Sequence, residues 1–173
     1  MTVELGPEEP RLPSRETGAA GETLPAFQLK KILVPVDFST CSLKALRYAI
    51  PFATQFGAEL ILLHVIPLFP PAEGVLPADP GEDVHERLAA LRATAGAAAG
   101  GITLVRRGTP HSEILDVAQE LDVGLIILST HGHTGLEHLL LGSVAEKVVR
   151  HAGCPVLIVR EHEHEFVEDR AAP

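Results

Sequence analysis

The chain has 173 residues, a formal net charge of −9 and 46% hydrophobic residues, a length and composition that suit one domain with a proper core and exclude general disorder. The charge sits mainly at the ends: residues 1–26 and 161–173 together carry −7, and residues 27–160 only −2. A near-neutral centre without a basic face excludes nucleic acid as the expected partner, and no apolar run approaches the roughly 18 residues of a membrane span.

Taken in chain order, residues 1–26 hold Pro, Gly, Glu, Ser and Thr with almost no aliphatic periodicity, and read as a flexible tail. They show no basic stretch followed by an apolar one, so no secretory signal is expected. Lys31 to Val36 is the first strand. Ser39 then caps a helix from about Cys41 to Phe56, with Leu43, Leu46, Ile50 and Ala53 on one face. Pro51 interrupts that pattern and predicts a kink. The second strand is Glu59 to Val65, followed by a Pro-rich loop and a helix from Asp83 to Ala98. Ile102 to Arg106 is a third strand, more mixed in composition, as an edge strand is. Thr109-Pro110 places an N-cap before a proline at the first helical position and opens a helix to about Leu121. Gly124 to Leu128 is the fourth strand. Ser143-Val144-Ala145-Glu146 reads as a capping box opening a helix to about His151, and Pro155 to Arg160 is the fifth strand. The remaining residues, 161–173, form a second polar, acidic tail.

Strand and helix alternate throughout, and four of the five strands are nearly continuous in Val, Ile and Leu. That pattern defines an α/β single domain, an open parallel sheet with helices on both faces. In such sheets ligands bind beyond the carboxyl ends of the strands, where the winding reverses. If strands one and four are neighbours there, the loops that follow them face one crevice.

The loop after strand four carries the main chemical signal. Ser129-Thr130-His131-Gly132 is followed, after nine residues, by Gly142-Ser143 at the start of a helix. Small residues let backbone N–H groups approach an anion, and a helix N-terminus adds a positive pole. No Gly-Lys pair occurs, so this is no conventional P-loop, and no glycine follows strand one, so it is no dinucleotide fingerprint. The competing reading is a structured loop whose glycines merely permit turns while Ser143 caps its own helix. Asp37, after strand one, also has two readings: a partner for ribose hydroxyls or Mg²⁺, or a cap on the turn into the first helix. Ser39 can cap alone, which favours the ligand role. His131, His133 and His138 lack a carboxylate or cysteine frame, so no metal site is expected. Cys41 and Cys154 read as two reduced thiols in a cytoplasmic protein, Cys41 the more reactive because a helix N-terminus lowers a thiol's pKa, with buried packing the commoner fate of either. No catalytic constellation is evident.

Ser129 to Gly132, nine residues and Gly142-Ser143 resemble the ATP-binding signature of the universal stress protein family. So do Ile32-Leu33-Val34-Pro35-Val36-Asp37, Leu62-Leu63-His64-Val65, Arg107-Gly108-Thr109-Pro110 and Cys154-Pro155-Val156-Leu157-Ile158-Val159, which occur in the same order over residues 27–160. The resemblance implies a five-stranded sheet in order 3-2-1-4-5 and a homodimer paired through the last strand, residues 156–160. It also implies ATP in the crevice, with Mg²⁺ accompanying it. Pro35, Val36 and Asp37 would then line the nucleoside pocket and the backbone of Val65 would face adenine. Ser129, Thr130, His131 and Gly132, with Gly142, Ser143 and Val144, would hold ribose and phosphates. The first glycine of the signature is Ser129 here, which adds a Cβ and a hydroxyl where backbone approaches the ligand.

Three functions follow as expectations. The leading one is an ATP-binding stress or signalling module whose nucleotide sets conformation or dimer stability without turnover. The second is a slow ATPase or nucleotide-transfer enzyme, for which the loop offers histidines and backbone amides but no lysine or arginine, and no partner identifies Glu137 as a base. The third is a dimeric scaffold with a vestigial nucleotide site.

Overall fold

A computed structural model of the protein describes residues 28–68, 81–96, 101–130 and 141–160. The two expected tails lie outside the described residues, as do His131, Gly132, His133 and His138. Nine elements alternate: β1 (Lys31–Pro35), α1 (Thr40–Phe56), β2 (Glu59–Pro67), α2 (Gly81–Thr94), β3 (Gly101–Gly108), α3 (Pro110–Glu120), β4 (Leu125–Ser129), α4 (Ser143–His151) and β5 (Val156–Val159). They build one parallel sheet in the order β3-β2-β1-β4-β5. The switch of winding therefore falls between β1 and β4, the order that the family resemblance implies and that strand–helix alternation alone left open.

Side chains of successive strand residues enter different layers. Ile32, Val34, Leu60, Leu62 and Ile127 pack with Ala45, Ala49 and Ala53 of α1 and with Val84 and Leu88 of α2. Leu33, Ile61, Leu63, Ile126 and Leu128 pack on the other side with Ile114 and Val117 of α3 and Ala145 and Val148 of α4. Strands buried on both faces need apolar side chains at both parities, which is why the central runs are unbroken. At the β3 edge Gly101 lies so close to the Leu60 carbonyl that a Cβ would collide with it. Lys31 ties β1 to the far end of α3, its Nζ donating to the Leu121 carbonyl at 2.7 Å.

Several elements depart from their sequence reading. α1 runs through Pro51 as one 17-residue helix, and its buried face is Cys41, Ser42, Ala45, Leu46, Tyr48, Ala49 and Ala53. Leu43 and Ile50 are only half-buried, because small alanines, not the large aliphatics, let the helix backbone approach the sheet. α2 begins two residues early, at Gly81, and ends at Thr94, where Gly96 takes φ +74°. Thr109 precedes α3 in extended geometry, yet its side chain makes no capping bond. The capping box at Ser143 is also corrected. Gly142 is the N-cap, with φ −68° and ψ 155°, and Ser143 is the first helical residue. The Glu146 N–H bonds the Gly142 carbonyl at 2.9 Å, which places the whole turn one residue earlier than Ser-x-x-Glu suggests.

Candidate functional site

The carboxyl ends of β1 and β4 part company, and chain chemistry explains where. Val36 donates its N–H to the Leu63 carbonyl at 2.8 Å, so the backbone of residue 36 faces β2. By strand alternation residue 35 faces β4, and as proline it has no N–H to offer. The β1–β4 register accordingly covers Ile32 with Leu125 and Leu33 with Ile126. β2 outlasts β1: its last partner in β1 is Pro35, opposite Leu63. The Leu63 carbonyl faces β1, so the peptide groups of Val65, two residues on, face the same side beyond the end of that strand.

The turn after β1 holds itself in place. Asp37 Oδ1 accepts from the Ser39 N–H at 3.0 Å and from the Ser39 hydroxyl. Ser39 Oγ in turn accepts from the Ser42 N–H at 3.2 Å, which caps α1. The buried Ser42 hydroxyl donates to the Ser39 carbonyl at 3.0 Å and accepts from the Asp37 N–H at 3.3 Å. The structural reading of Asp37 is thus realised. Ser39 does not cap alone but as part of a bonded set with Asp37 and Ser42. Phe38 completes the turn in the left-handed region, φ +65°, a conformation that costs a non-glycine residue about 1–2 kcal/mol.

The connection after β4 is closed at its base. Ser129 ends β4 opposite Val159 of β5. Thr130, 4% exposed, donates its N–H to the Val159 carbonyl at 3.1 Å. Its own carbonyl accepts from the Gly142 N–H at 2.8 Å. One residue therefore joins the start of α4 to the carboxyl ends of β4 and β5. The Gly142 amide is committed to that closure. The N–H groups of Ser143, Val144 and Ala145 precede the first intrahelical bond, which Glu146 makes, and are the donors an anion would meet.

Of the sequence-selected residues, the structure places Pro35, Val36, Asp37, Val65, Ser129, Thr130, Gly142, Ser143 and Val144 at this edge of the sheet. His131 and Gly132 fall outside the described residues. A depression of about 310 Å³ lined by Thr40, Cys41, Leu43, Lys44 and Arg47 lies along α1 and includes none of them. Among the described residues no cluster of His, Cys, Asp and Glu is arranged to hold a metal ion. Neither cysteine forms a disulfide among the described residues. Cys41 is buried, the commoner fate expected of either thiol, and burial pushes the Cys154 thiol up against a smaller opposing hydrogen bond at Ile126. Sequence reasoning missed the company that Phe38 keeps. His64 of β2 meets its ring at 4.8 Å between centroids, and the Arg87 guanidinium of α2 lies 3.8 Å from its centre. A histidine alone in an apolar strand was the available signal.

A parallel sheet whose winding reverses between β1 and β4 defines a doubly wound α/β protein. A profile of the universal stress protein family matches residues 28–160. Universal stress protein MJ0531 of Methanocaldococcus jannaschii is 36% identical over 146 residues, which cover 79% of this chain and 85% of that protein. Universal stress protein YxiE of Bacillus subtilis is 37% identical over 147 residues, covering 75% of this chain and 98% of its own. The solved structure of hypothetical protein MJ0577, also from M. jannaschii, is 31% identical, with a TM-score of 0.70 over 80% of this chain and 100% of that one. A universal stress protein solved in complex with cAMP is 25% identical, with a TM-score of 0.62 over 78% of this chain and 98% of its own. The chain belongs to the universal stress protein family.

Proposed function

We propose that the chain binds an adenine nucleotide, ATP, at the β1–β4 switch point and works as a nucleotide-responsive stress or signalling module. The observation that carries this reading is the double closure at Thr130, which holds the start of α4 at the carboxyl ends of β5 and of β4, the strand next to β1. In this reading Pro35, Val36 and Asp37 line the nucleoside pocket, and the Val65 peptide meets adenine. Ser129, Thr130, His131 and Gly132 take the ribose and phosphates together with Gly142, Ser143 and Val144. Gly142 contributes its lack of a side chain rather than its amide. The cAMP complex of a relative adds support for an adenine nucleotide as the ligand class. Mg²⁺ accompanies the triphosphate, and Asp37 is the carboxylate positioned at the same edge. Residues 129–144 contain no lysine or arginine. The site therefore holds nucleotide by amides and a helix pole, and ATP acts as an occupant. Bound at a hundred times its dissociation constant, it stabilises the fold by about 2.7 kcal/mol.

The nucleotide-binding domain spans residues 27–160, with the two tails outside it. Two copies pair through β5, a sheet edge whose Val156 and Ile158 are only partly buried in the single chain, beside Val149 of α4 at 47% exposure. Apolar edges of this kind are covered in stable proteins. A monomer by light scattering at micromolar concentration would refute the pairing. Among the described residues no helix is long and apolar enough to cross a membrane, and a cytoplasmic location fits two cysteines that form no disulfide.

The test is nucleotide extracted from freshly purified protein, followed by calorimetry with ATP and with GTP. ATP is expected in the extract and as the tighter ligand. A double variant, Gly132→Val with Gly142→Val, should lose most of that affinity; an unchanged value would sink the loop assignment.

A further inference from the structure

His64 touches the residues on both sides of Asp37. Its Nδ1 lies 2.7 Å from the Val36 carbonyl oxygen, and its ring stacks at a 34° tilt on Phe38. A carbonyl only accepts, so Nδ1 carries the proton and donates it. Val36 and Phe38 flank Asp37 in sequence, and Phe38 holds a left-handed backbone that an aromatic residue does not adopt unaided. Arg87 closes the stack from α2 by lying on the Phe38 ring, and it also pairs with Asp83 at 3.7 Å. The strained turn is thus gripped by β2 through His64 and by α2 through Arg87.

We propose that His64 is a positioning residue for Asp37, holding the β1–α1 turn in its binding-competent form through the Val36 carbonyl and the Phe38 ring, with Arg87 coupling α2 to that turn. The proposal rests on the adenine-nucleotide reading for its consequence, though not for its geometry. Asp37 keeps one carboxylate oxygen on Ser39, and the orientation of the rest of the group follows the backbone that His64 fixes. Releasing the Val36 carbonyl lets Phe38 relax from φ +65°, and Asp37 turns with it. A change that moves α2 reaches the ligand edge through the same ring.

Two substitutions separate the donor from the ring. His64→Asn places an amide nitrogen where Nδ1 was and keeps the bond to Val36; His64→Phe keeps a ring and loses the bond. Each variant is read by ATP calorimetry, by melting temperature and by hydrogen exchange at the Ser39 amide, whose acceptor is Asp37. His64→Phe should weaken ATP about fivefold, the worth of one hydrogen bond, and speed Ser39 exchange by a similar factor. His64→Asn should restore both to within about twofold. Arg87→Ala, on an exposed side chain, should cost about two- to threefold in affinity with little change in melting. Wild-type behaviour of His64→Phe in both readouts overturns the proposal, as does an equal loss in His64→Asn. Should His64→Phe fail to fold, Arg87→Ala with unchanged Ser39 exchange and unchanged affinity would overturn the coupling. Wild-type protein that binds no nucleotide would refute the functional reading alone, because Ser39 exchange still decides the role of His64.

Discussion

Two helices start at the same edge of the sheet, and their N-termini are built in opposite ways. α1 follows β1 with Ser39 as a side-chain cap, Asp37 bonded to that cap and Ser42 bonded back to the turn. Much of its opening turn is satisfied by its own residues. α4 follows β4 with Gly142 as a cap that has no side chain to offer. Its opening N–H groups keep their donor capacity for something else. In the proposed nucleotide reading, the difference gives the two helix starts separate duties. The α1 start presents a carboxylate held by local bonds, and the α4 start presents amides and a positive helix pole. A nucleotide needs both, a partner for its sugar hydroxyls and a cradle for its phosphates.

The sharpest way to break this contrast is to give α4 the kind of cap that α1 has. Gly142→Asp places a carboxylate over the Val144 and Ala145 amides, and the observed φ of −68° and ψ of 155° suit any residue. The cap should hold or raise stability by about 0.5–1 kcal/mol. The same carboxylate competes for the donors and repels phosphate, so ATP affinity should fall by about tenfold or more. Calorimetry beside thermal melting reads both. Loss of stability and affinity together would mean the variant had only damaged the loop.

The converse change removes the cap from α1. Ser39→Ala deletes the acceptor for the Ser42 amide and a donor to Asp37. Loss of such a cap costs about 1 kcal/mol, or about 2–4 °C in a domain of this size. Affinity should change by only about two- to threefold, because the α4 donors are untouched. A larger loss of affinity than Gly142→Asp produces would reverse the assignment of duties.

The contrast also shows what the sequence could reveal. β1, β2, β4 and β5 were legible because strands covered on both faces have to be apolar at every position, and few other elements read that way. Ser39 was legible as a cap because its bond to Ser42 spans three residues. Ser143 was misread for a related reason: Ser-x-x-Glu satisfies the local rule, but the preceding glycine accepts the same role and Thr130 holds its N–H from across the loop. The face of α1 was misjudged because large aliphatics outweighed alanines, although close helix–sheet approach favours the small ones. The grip on Asp37 was out of reach. His64 lies 28 residues from Val36, and neither the left-handed Phe38 nor the guanidinium above it leaves a trace at short range.

The smallest expected effect concerns the one acid in the first turn of α4. Glu146 is exposed and pairs with Arg150 at 2.9 Å, one turn along the same helix. Near the positive pole its charge favours the helix, and near the proposed phosphates it opposes the ligand. The two consequences of Glu146→Gln therefore have opposite signs. Stability should drop by about 0.3–1 kcal/mol at most, since both partners are open to solvent and screened. ATP affinity should rise by about twofold, and the gain should shrink as salt is raised from 50 to 500 mM, as expected for exposed charges. Comparable titrations of Ser39→Ala, which alters no charge, should show no such salt-dependent gain. If Glu146→Gln weakened ATP binding at every ionic strength, the phosphates would not lie at the head of α4, and the amides there would serve the fold alone.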